Sequence, residues 1–342
     1  MIIILKIGSG AADRDYVVSR LTDLGFATNV SGSEHTVIGA IGVPESRKAI
    51  LAEALGALEC VERVVPITSR YKLASRQFQA ESTIVKVGQV EIGGPRVAVM
   101  AGPCSVETRE QVLVTAEAVA AAGATILRGG AYKPRTSPYD FQGHGEDGLK
   151  ILAEARDRFG LAIVTEVLDP HDVELVSSYA DLLQIGARNM QNYALLREAG
   201  RSEKPVMVKR GGMYPTIENW LLAAEYVLSE GNRGVMLCER GLPVMDDAGL
   251  RRNLLDLTAV PIIKELSHLP VVVDPSHGTG RHALVNVMAK GAVAVGADSL
   301  MIEVHPQPDQ AWSDGPQSLR PEAFARLMRE LPAVVAAVGR TL

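Results

Sequence analysis

Basic side chains follow a short apolar run at Leu127–Tyr139, where they could bind anionic ligands. Arg128, Lys133 and Arg135 lie there in a loop rich in glycine and proline. Glycine lets a backbone approach a ligand closely and proline restricts the loop, while guanidinium and ammonium groups bind phosphate or carboxylate oxygens. A lone Lys-Pro-Arg tripeptide would more often be a solvated turn. The composition of the whole segment instead predicts an anion-binding loop.

Apolar runs that end in a chemically active side chain recur along the chain, at residues 97–104, 125–128, 162–166, 182–188, 206–209, 235–240, 271–277 and 300–303. Their terminal residues are Cys104, Arg128, Glu166, Arg188, Lys209, Arg240, His277 and Glu303. Helix-like segments lie between the runs, at 110–122, 148–159, 217–229 and 281–290. Alternating strands and helices predict a (β/α)8 barrel with its active site at the carboxyl ends of the strands. An open doubly wound sheet would gather its ligand groups at one switch point instead.

Four candidate residues carry atoms that bind first-row metals: Cys104, His277, Glu303 and Asp314. A thiolate, an imidazole and two carboxylates suit a divalent ion such as Mn²⁺, Fe²⁺, Co²⁺ or Zn²⁺. The first, seventh and eighth strands of a closed barrel are neighbours, so these side chains can converge. Each residue alone also fits a packing or turn role. Their shared place at one barrel mouth favours a metal site.

The sequence pattern of residues 1–70 predicts a separate domain. Strands are expected at 2–7, 26–30, 35–41 and 61–67, and helices at 12–24 and 44–58, with a hairpin turn around Ser31–Ser33. This βαββαβ order is ferredoxin-like. Residues 71–81 are predicted as a linker, and 82–342 as the barrel with an amino-terminal β-ribbon. Many functions share the ferredoxin-like fold, and no catalytic residues gather here, so binding, regulation or assembly is expected.

The amino-acid composition excludes several classes of protein. The 342 residues are 47% hydrophobic, enough for one barrel and a smaller domain. A net charge of −5 predicts neither a nucleic-acid nor a membrane partner. No apolar run has the length of a membrane span, and the opening run is too short for a signal peptide. The three cysteines lack paired spacing, which favours the cytoplasm.

Several motifs resemble those of the 3-deoxy-D-arabino-heptulosonate 7-phosphate (DAHP) synthases. They cover most of residues 82–320 in the order of that family: Ala101-Gly-Pro-Cys-Ser105, Lys133-Pro-Arg-Thr-Ser137, Ile185-Gly-Ala-Arg-Asn189, Val208-Lys-Arg-Gly211, Cys238-Glu-Arg-Gly241, Asp274-Pro-Ser-His-Gly278 and Ile302-Glu-Val-His-Pro306. By topology alone, residues 1–70 resemble the regulatory domain of the type Iβ members. The resemblance implies a metal-dependent transferase that condenses phosphoenolpyruvate with erythrose 4-phosphate, at the entry to the shikimate pathway. It also implies feedback by tyrosine or phenylalanine and a homotetramer.

The resemblance further implies roles for single residues. The residues that bind the phosphate of phosphoenolpyruvate would be Arg188, Lys209 and Arg240. Lys133 would bind the carboxylate region with Arg128 nearby, and Arg135 and Thr136 would hold the aldose phosphate. The metal would be held by Cys104, His277, Glu303 and Asp314. Asp274 would orient its neighbours, and either Lys133 or Glu166 would carry the proton transfers.

Two other functions are weighed against this interpretation. The sister synthase that uses arabinose 5-phosphate typically carries Lys-Ala-Asn-Arg-Ser where this chain has Lys133-Pro-Arg-Thr-Ser137, and it lacks the amino-terminal domain. A non-catalytic amino-acid sensor would have no physical need to keep the candidate metal ligands and cationic residues together. Both are therefore less favoured than a DAHP synthase.

Overall fold

The computed structural model describes residues 1–32, 36–65, 70–244 and 249–342. The chain divides into two units, residues 1–82 with 265–268 and residues 83–264 with 269–342. Among the described residues, none of the helices combines the length and apolar character that crossing a bilayer requires.

The first unit carries a four-stranded antiparallel sheet with the strand order β2-β3-β1-β4. Its elements are β1 (Ile2–Leu5), α1 (Ala11–Asp23), β2 (Ala27–Ser31), β3 (Val37–Ile41), α2 (Glu45–Gly56) and β4 (Val61–Val65). Val17 and Leu21 of α1 are buried in one core with Ile3 and Leu5 of β1. The predicted ferredoxin-like βαββαβ fold is confirmed. Parts of the predicted hairpin and last strand, at 33–35 and 66–67, lie outside the described residues.

The second unit begins with the antiparallel ribbon β5 (Val85–Val87) and β6 (Val90–Ile92). Eight parallel strands then close a barrel in the order β10-β11-β12-β15-β16-β7-β8-β9. They are β7 (Ala98–Gly102), β8 (Ile126–Arg128), β9 (Ala162–Val167), β10 (Leu182–Ile185), β11 (Val206–Lys209), β12 (Val235–Glu239), β15 (Val271–Val273) and β16 (Ser299–Glu303). A short pair, β13 (Leu242–Pro243) and β14 (Asn253–Leu254), follows β12. The predicted barrel is confirmed.

Helices connect the strands: α3 (Arg109–Ala121), α4 (Glu146–Phe159), α5 (Val173–Tyr179), α6 (Tyr193–Arg201), α7 (Ile217–Ser229), α8 (Ala259–Leu266), α9 (Pro275–Thr279), α10 (His282–Ala294) and α11 (Pro321–Ala337). Local sequence fixes several of their ends. Thr108 and Thr216 accept backbone hydrogen bonds as the N-caps of α3 and α7, and Gly160 ends α4 in a left-handed conformation.

The barrel interior is a continuous apolar core. Ala98, Met100, Met207 and Met301 lie in this core, and Val85 of the ribbon packs in the same cluster. The ribbon therefore covers the barrel end at which the strands begin, and the polar residues are left at the opposite end. Parallel barrels place their active sites at that opposite, carboxyl end.

Candidate active site

The strand-end residues predicted from the sequence lie around the carboxyl end of the barrel, but four of them are not on strands. Cys104 and Arg240 follow the ends of β7 and β12 by two residues and one residue, and the other two lie in helical turns. Strand β10 ends at Ile185, so Arg188 lies in a 3₁₀ turn. Strand β15 ends at Val273, so His277 lies on helix α9. Pro275 starts α9 because proline lacks the N–H that a strand ladder needs but suits a first helical turn. The prediction that residues 182–188 and 271–277 each form one unbroken strand was therefore wrong.

The four predicted metal-binding residues converge. One possible ligand atom from each of Cys104, His277, Glu303 and Asp314 lies within 4.8 Å of the others. His277 Nε2 lies 3.4 Å from Glu303 Oε1 and 3.7 Å from Asp314 Oδ2, and that same aspartate oxygen lies 3.5 Å from Cys104 Sγ. A thiol, an imidazole and two carboxylates this close together fit a divalent first-row ion. The roles of these residues stay predictions.

Asp274 fixes the imidazole of His277. Its Oδ2 lies 2.8 Å from His277 Nδ1, and its Oδ1 accepts the His277 backbone N–H at 2.9 Å. Burial lowers the pKa of His277, despite the attraction of Asp274, so the ring is neutral near pH 7. With Nδ1–H donated to the carboxylate, Nε2 keeps its lone pair toward Glu303 and Asp314. This is the arrangement that orients metal-binding histidines.

Burial also controls the thiol of Cys104. It raises the pKa of Cys104 to about 11, and the negative charge of Glu303 adds to the effect. The free thiol therefore keeps its proton near pH 7. Metals bind the thiolate, so an ion entering this site must displace a proton from Cys104.

Three cations each contact one candidate ligand of the cluster. Lys133 Nζ lies 3.0 Å from Cys104 Sγ, and Arg128 donates to Glu303 Oε1 at 2.8 Å. Burial favours a raised pKa for Glu303. The attraction of His277 and Arg128 is stronger than this effect and holds the pKa of Glu303 below its usual range. The third cation, Arg252, pairs with Asp314 at 2.9 Å. Arg252 was not singled out from the sequence, because nothing in its local pattern distinguishes it from a surface arginine.

An open cavity of about 550 Å³ lies beside the cluster. It is lined by Glu166, predicted for proton transfer, and by the residues predicted to bind substrates: Arg128, Lys133, Arg135, Thr136, Arg188, Lys209 and Arg240. Lys209 pairs with the buried Asp274 at 2.8 Å. Within the described residues, Arg188 and Arg240 have no hydrogen-bonding or ion-pair partner. These two guanidinium groups are therefore available to an anion in the cavity.

Arg135 is engaged with an acidic neighbour. Its Nη2 lies 3.2 Å from Asp140 Oδ2, and the two side chains are 26% and 44% exposed. Asp140 is not among the residues singled out from the sequence. The loop turns back after Pro138, and Asp140 N donates to Ser137 O, which brings the carboxylate onto Arg135. An anion that binds the Nε and Nη2 edge of Arg135 must displace Asp140.

Glu166 is held at the cavity wall by Gln184, whose Nε2 donates to Glu166 Oε2 at 3.1 Å. Gly186 makes room for it, since a Cβ at that position would lie 1.8 Å from Glu166 Oε1. The glycine of the Ile185–Asn189 motif is thus explained by close approach to a side chain.

A hydrogen-bond network around Glu107 was missed from the sequence. The buried Glu107 accepts from Trp312 N at 2.8 Å and contacts His305 at 3.1 Å. Nearby, the hydroxyls of Ser105 and Ser313 are 2.7 Å apart. Ser105 adjoins Cys104 and Ser313 adjoins Asp314, so the network ties together the two loops that carry these candidate ligands.

Comparison with known proteins identifies the family. Residues 74–337 match the model of the DAHP synthetase I family, and residues 1–69 match that of the DAHP synthase ferredoxin-like domain. The chain belongs to the DAHP synthetase I family. It is 48% identical over 340 residues to phospho-2-dehydro-3-deoxyheptonate aldolase of Thermotoga maritima, covering 99% of each chain. The resemblance found in the sequence is confirmed.

Solved structures agree with this membership. The crystal structure of the T. maritima DAHP synthase aligns with a TM-score of 0.78 at 47% identity, covering 99% of this chain and 98% of that one. A truncated form of the T. maritima synthase covers 79% of this chain with a TM-score of 0.73. A more distant relative, 2-dehydro-3-deoxyphosphooctonate aldolase of Syntrophotalea carbinolica, is 34% identical and covers 74% of this chain and 96% of its own.

Proposed function

We propose that the chain catalyses the metal-dependent condensation of phosphoenolpyruvate with erythrose 4-phosphate and water, giving DAHP and inorganic phosphate. The observation that carries the proposal is the convergence of the thiol, imidazole and two carboxylates at the edge of a cavity lined by cations. Membership of the DAHP synthetase I family supports it. The reaction would be the first step of the shikimate pathway.

The metal-binding residues in this proposal are Cys104, His277, Glu303 and Asp314. An ion such as Mn²⁺, Fe²⁺, Co²⁺ or Zn²⁺ bound there would act as a Lewis acid on the aldehyde carbonyl of erythrose 4-phosphate. Asp274 orients His277 for this role, and the neutral state of the ring leaves Nε2 free to coordinate.

In this proposal the two phosphate groups bind to separate sets of cations. Arg188 and Arg240, which have no partner among the described residues, bind the phosphate of phosphoenolpyruvate, with Lys209 beside them. Arg135 and Thr136 bind the phosphate of the aldose. Two phosphorylated anions side by side repel each other, so each requires its own cations. Arg128 and Lys133 complete the site near the carboxylate of phosphoenolpyruvate.

Two residues are assigned to proton transfer. C3 of phosphoenolpyruvate attacks the aldehyde carbon, water adds at C2, and phosphate leaves. Lys133 Nζ lies 3.0 Å from Cys104 Sγ, so its ammonium group would lie near an aldehyde oxygen held at the metal site and would donate a proton to it. Glu166, on the neighbouring wall, can accept the proton of the water.

The amino-terminal unit is assigned a regulatory role in this proposal. The domains comprise 1–70 as the ferredoxin-like regulatory domain, 71–81 as linker and 82–342 as the catalytic barrel. The residues proposed for chemistry all lie between 104 and 314, and the match to the ferredoxin-like domain of DAHP synthases supports the assignment. An aromatic amino acid, tyrosine or phenylalanine, would inhibit by binding one arrangement of the enzyme more tightly than another. The enzyme would act as a homotetramer.

The decisive experiment is an aldose-specificity assay. The purified protein is treated with a strong chelator, reconstituted with Mn²⁺, and supplied with phosphoenolpyruvate and either erythrose 4-phosphate or arabinose 5-phosphate. We expect phosphate release with erythrose 4-phosphate only, and only after reconstitution. A preference for arabinose 5-phosphate would indicate the sister synthase, and no turnover with either aldose would favour the amino-acid sensor.

A further inference from the structure

The two acidic residues of the proposed metal site each turn one oxygen toward the cluster. Glu303 Oε1 faces His277 Nε2 at 3.4 Å. Asp314 Oδ2 faces the same nitrogen at 3.7 Å and Cys104 Sγ at 3.5 Å. The remaining oxygen of each carboxylate is turned away from the cluster and is hydrogen-bonded elsewhere.

Gln317 and Arg252 hold these outer oxygens. Gln317 Nε2 donates to Glu303 Oε2 at 2.5 Å, and Arg252 pairs with Asp314 Oδ1 at 2.9 Å. The two holding residues also bond to each other, since Arg252 Nη1 donates to Gln317 Oε1 at 2.8 Å. One connected set of hydrogen bonds therefore spans both carboxylates.

The orientation of the Gln317 amide follows from its neighbours. Its Nε2 lies 2.5 Å from Glu303 Oε2 and 3.4 Å from Asp314 Oδ2, and its oxygen receives the guanidinium of Arg252. The reversed amide would set its oxygen against two carboxylates and its NH₂ against a cation. Gln317 is only 2% exposed, so no solvent would relieve that repulsion. The glutamine is therefore locked in one orientation.

We propose that Gln317 and Arg252 are positioning residues that restrict Glu303 and Asp314 to one metal-facing oxygen each. This inference rests on the proposed function. A carboxylate with a free second oxygen can bind an ion through both, which fills an additional coordination position. Catalytic metal sites need an open position for water or substrate. By occupying the outer oxygens, the pair keeps that position open for the aldehyde.

Of the two positioning residues, Arg252 borders the proposed substrate cavity. Its side chain is 38% exposed and lines the same cavity as Arg188 and Arg240. Gln317, in contrast, is buried behind the carboxylates. Arg252 thus acts on Asp314 directly and on Glu303 through Gln317.

The test compares metal binding by Gln317→Met, Arg252→Met and the double variant with that of the wild-type protein. Methionine has a similar length to glutamine but donates no N–H. The control is Gln310→Met, the same change at an exposed glutamine in the same connection between β16 and α11. Co²⁺ affinity is measured by competition with a chromophoric chelator, and the visible spectrum of the Co²⁺-loaded protein reports coordination number.

We expect roughly 10–100-fold weaker Co²⁺ binding in each single variant, as found when residues that support metal ligands are removed. The visible absorption of bound Co²⁺ should weaken as the released carboxylate oxygens raise the coordination number. The double variant should lose less than the product of the two single losses, because Arg252 and Gln317 contact each other. Gln310→Met should match the wild-type protein.

Unchanged affinity and an unchanged spectrum in folded Gln317→Met and Arg252→Met would overturn the inference. If Gln317→Met does not fold, the Co²⁺ affinity and visible spectrum of Arg252→Met, a change at a half-exposed residue, test the inference. Failure of the proposed function gives a different pattern. A wild-type protein that binds Co²⁺ but does not condense the substrates would contradict the proposed function. The comparison of Co²⁺ binding between the wild-type protein and the variants would still test the positioning role of Gln317 and Arg252. A wild-type protein that binds no metal would overturn both.

Discussion

Replacing Arg135 by alanine tests the proposed phosphate site of the aldose, and the structure sets the size of the effect. A hydrogen bond to a charged group contributes about 1.5–3 kcal/mol. Arg135 must first leave Asp140, however, and an exposed pair of this kind contributes about 0.2–1 kcal/mol. The net loss is then roughly 0.5–3 kcal/mol, or about a twofold to hundredfold rise in the KM for erythrose 4-phosphate.

The assay follows phosphoenolpyruvate consumption while one substrate is varied and the other is saturating. The KM for phosphoenolpyruvate should stay within about twofold, and kcat should change little because the phosphate contact is made equally in ground and transition states. Asp140→Asn should act in the opposite direction and lower the KM for erythrose 4-phosphate by up to about fivefold. Arg281→Ala, an exposed arginine outside this cavity, is the control.

Equal damage to both KM values in Arg135→Ala would refute the assignment of the loop to the aldose. A rise in the KM for erythrose 4-phosphate in Asp140→Asn would refute the competition between Asp140 and the phosphate. Because the two variants are expected to move one constant in opposite directions, a general disturbance of the loop cannot produce the predicted pair of results.

Three further outcomes are expected. Asp274→Asn should weaken Mn²⁺ binding roughly 10–100-fold in a chelator competition, while Asp169→Asn, at an exposed Asp-Pro-His turn, should not; equal affinities would contradict the orienting role of Asp274. Gly186→Ala should lower kcat/KM on the order of 100-fold without unfolding the barrel, because the added methyl displaces Glu166; full activity would show that Glu166 is dispensable. Deleting residues 1–70 should leave an active barrel that tyrosine and phenylalanine no longer inhibit, and retained inhibition would contradict the regulatory role.

The fold could be predicted because its signals are local and periodic. Strand β11 and helix α7 were predicted at the residues where they occur, since an apolar run and an N-capping threonine mark their bounds. The errors at residues 182–188 and 271–277 come from helical turns of a few residues. Such turns are too short to show a period, and in the second case Pro275 was the one available signal.

The candidate site was predicted less completely, for a different reason. Cys104 and His277 stand in motifs at strand ends and could be found one at a time. Gln317 and Arg252 have ordinary surroundings in the sequence, and their importance comes from contacts with residues distant in the chain. A single sequence without spatial information contains no signal for such contacts. The pairing of Arg135 with Asp140 was missed because it depends on the path of the loop between them.

The distribution of positive charge in the cavity follows from the proposed metal site as much as from the substrates. Two carboxylates whose oxygens lie within 4.8 Å repel each other by roughly 3–4 kcal/mol at an effective dielectric constant of 20. Arg128 on Glu303 and Arg252 on Asp314 offset this repulsion in the absence of an ion. These cations therefore hold the ligands in place before metal binds.

Five cationic residues of the cavity form two groups by their contacts. Arg128, Lys133 and Arg252 each contact one candidate metal ligand, whereas Arg188 and Arg240 have no partner among the described residues. From the sequence, all the basic residues then identified at strand ends were attributed to substrate binding, because residue type alone cannot separate the two groups. The division implies that losing a cation of the first group weakens metal binding, whereas losing one of the second group weakens phosphoenolpyruvate binding and leaves metal affinity unchanged.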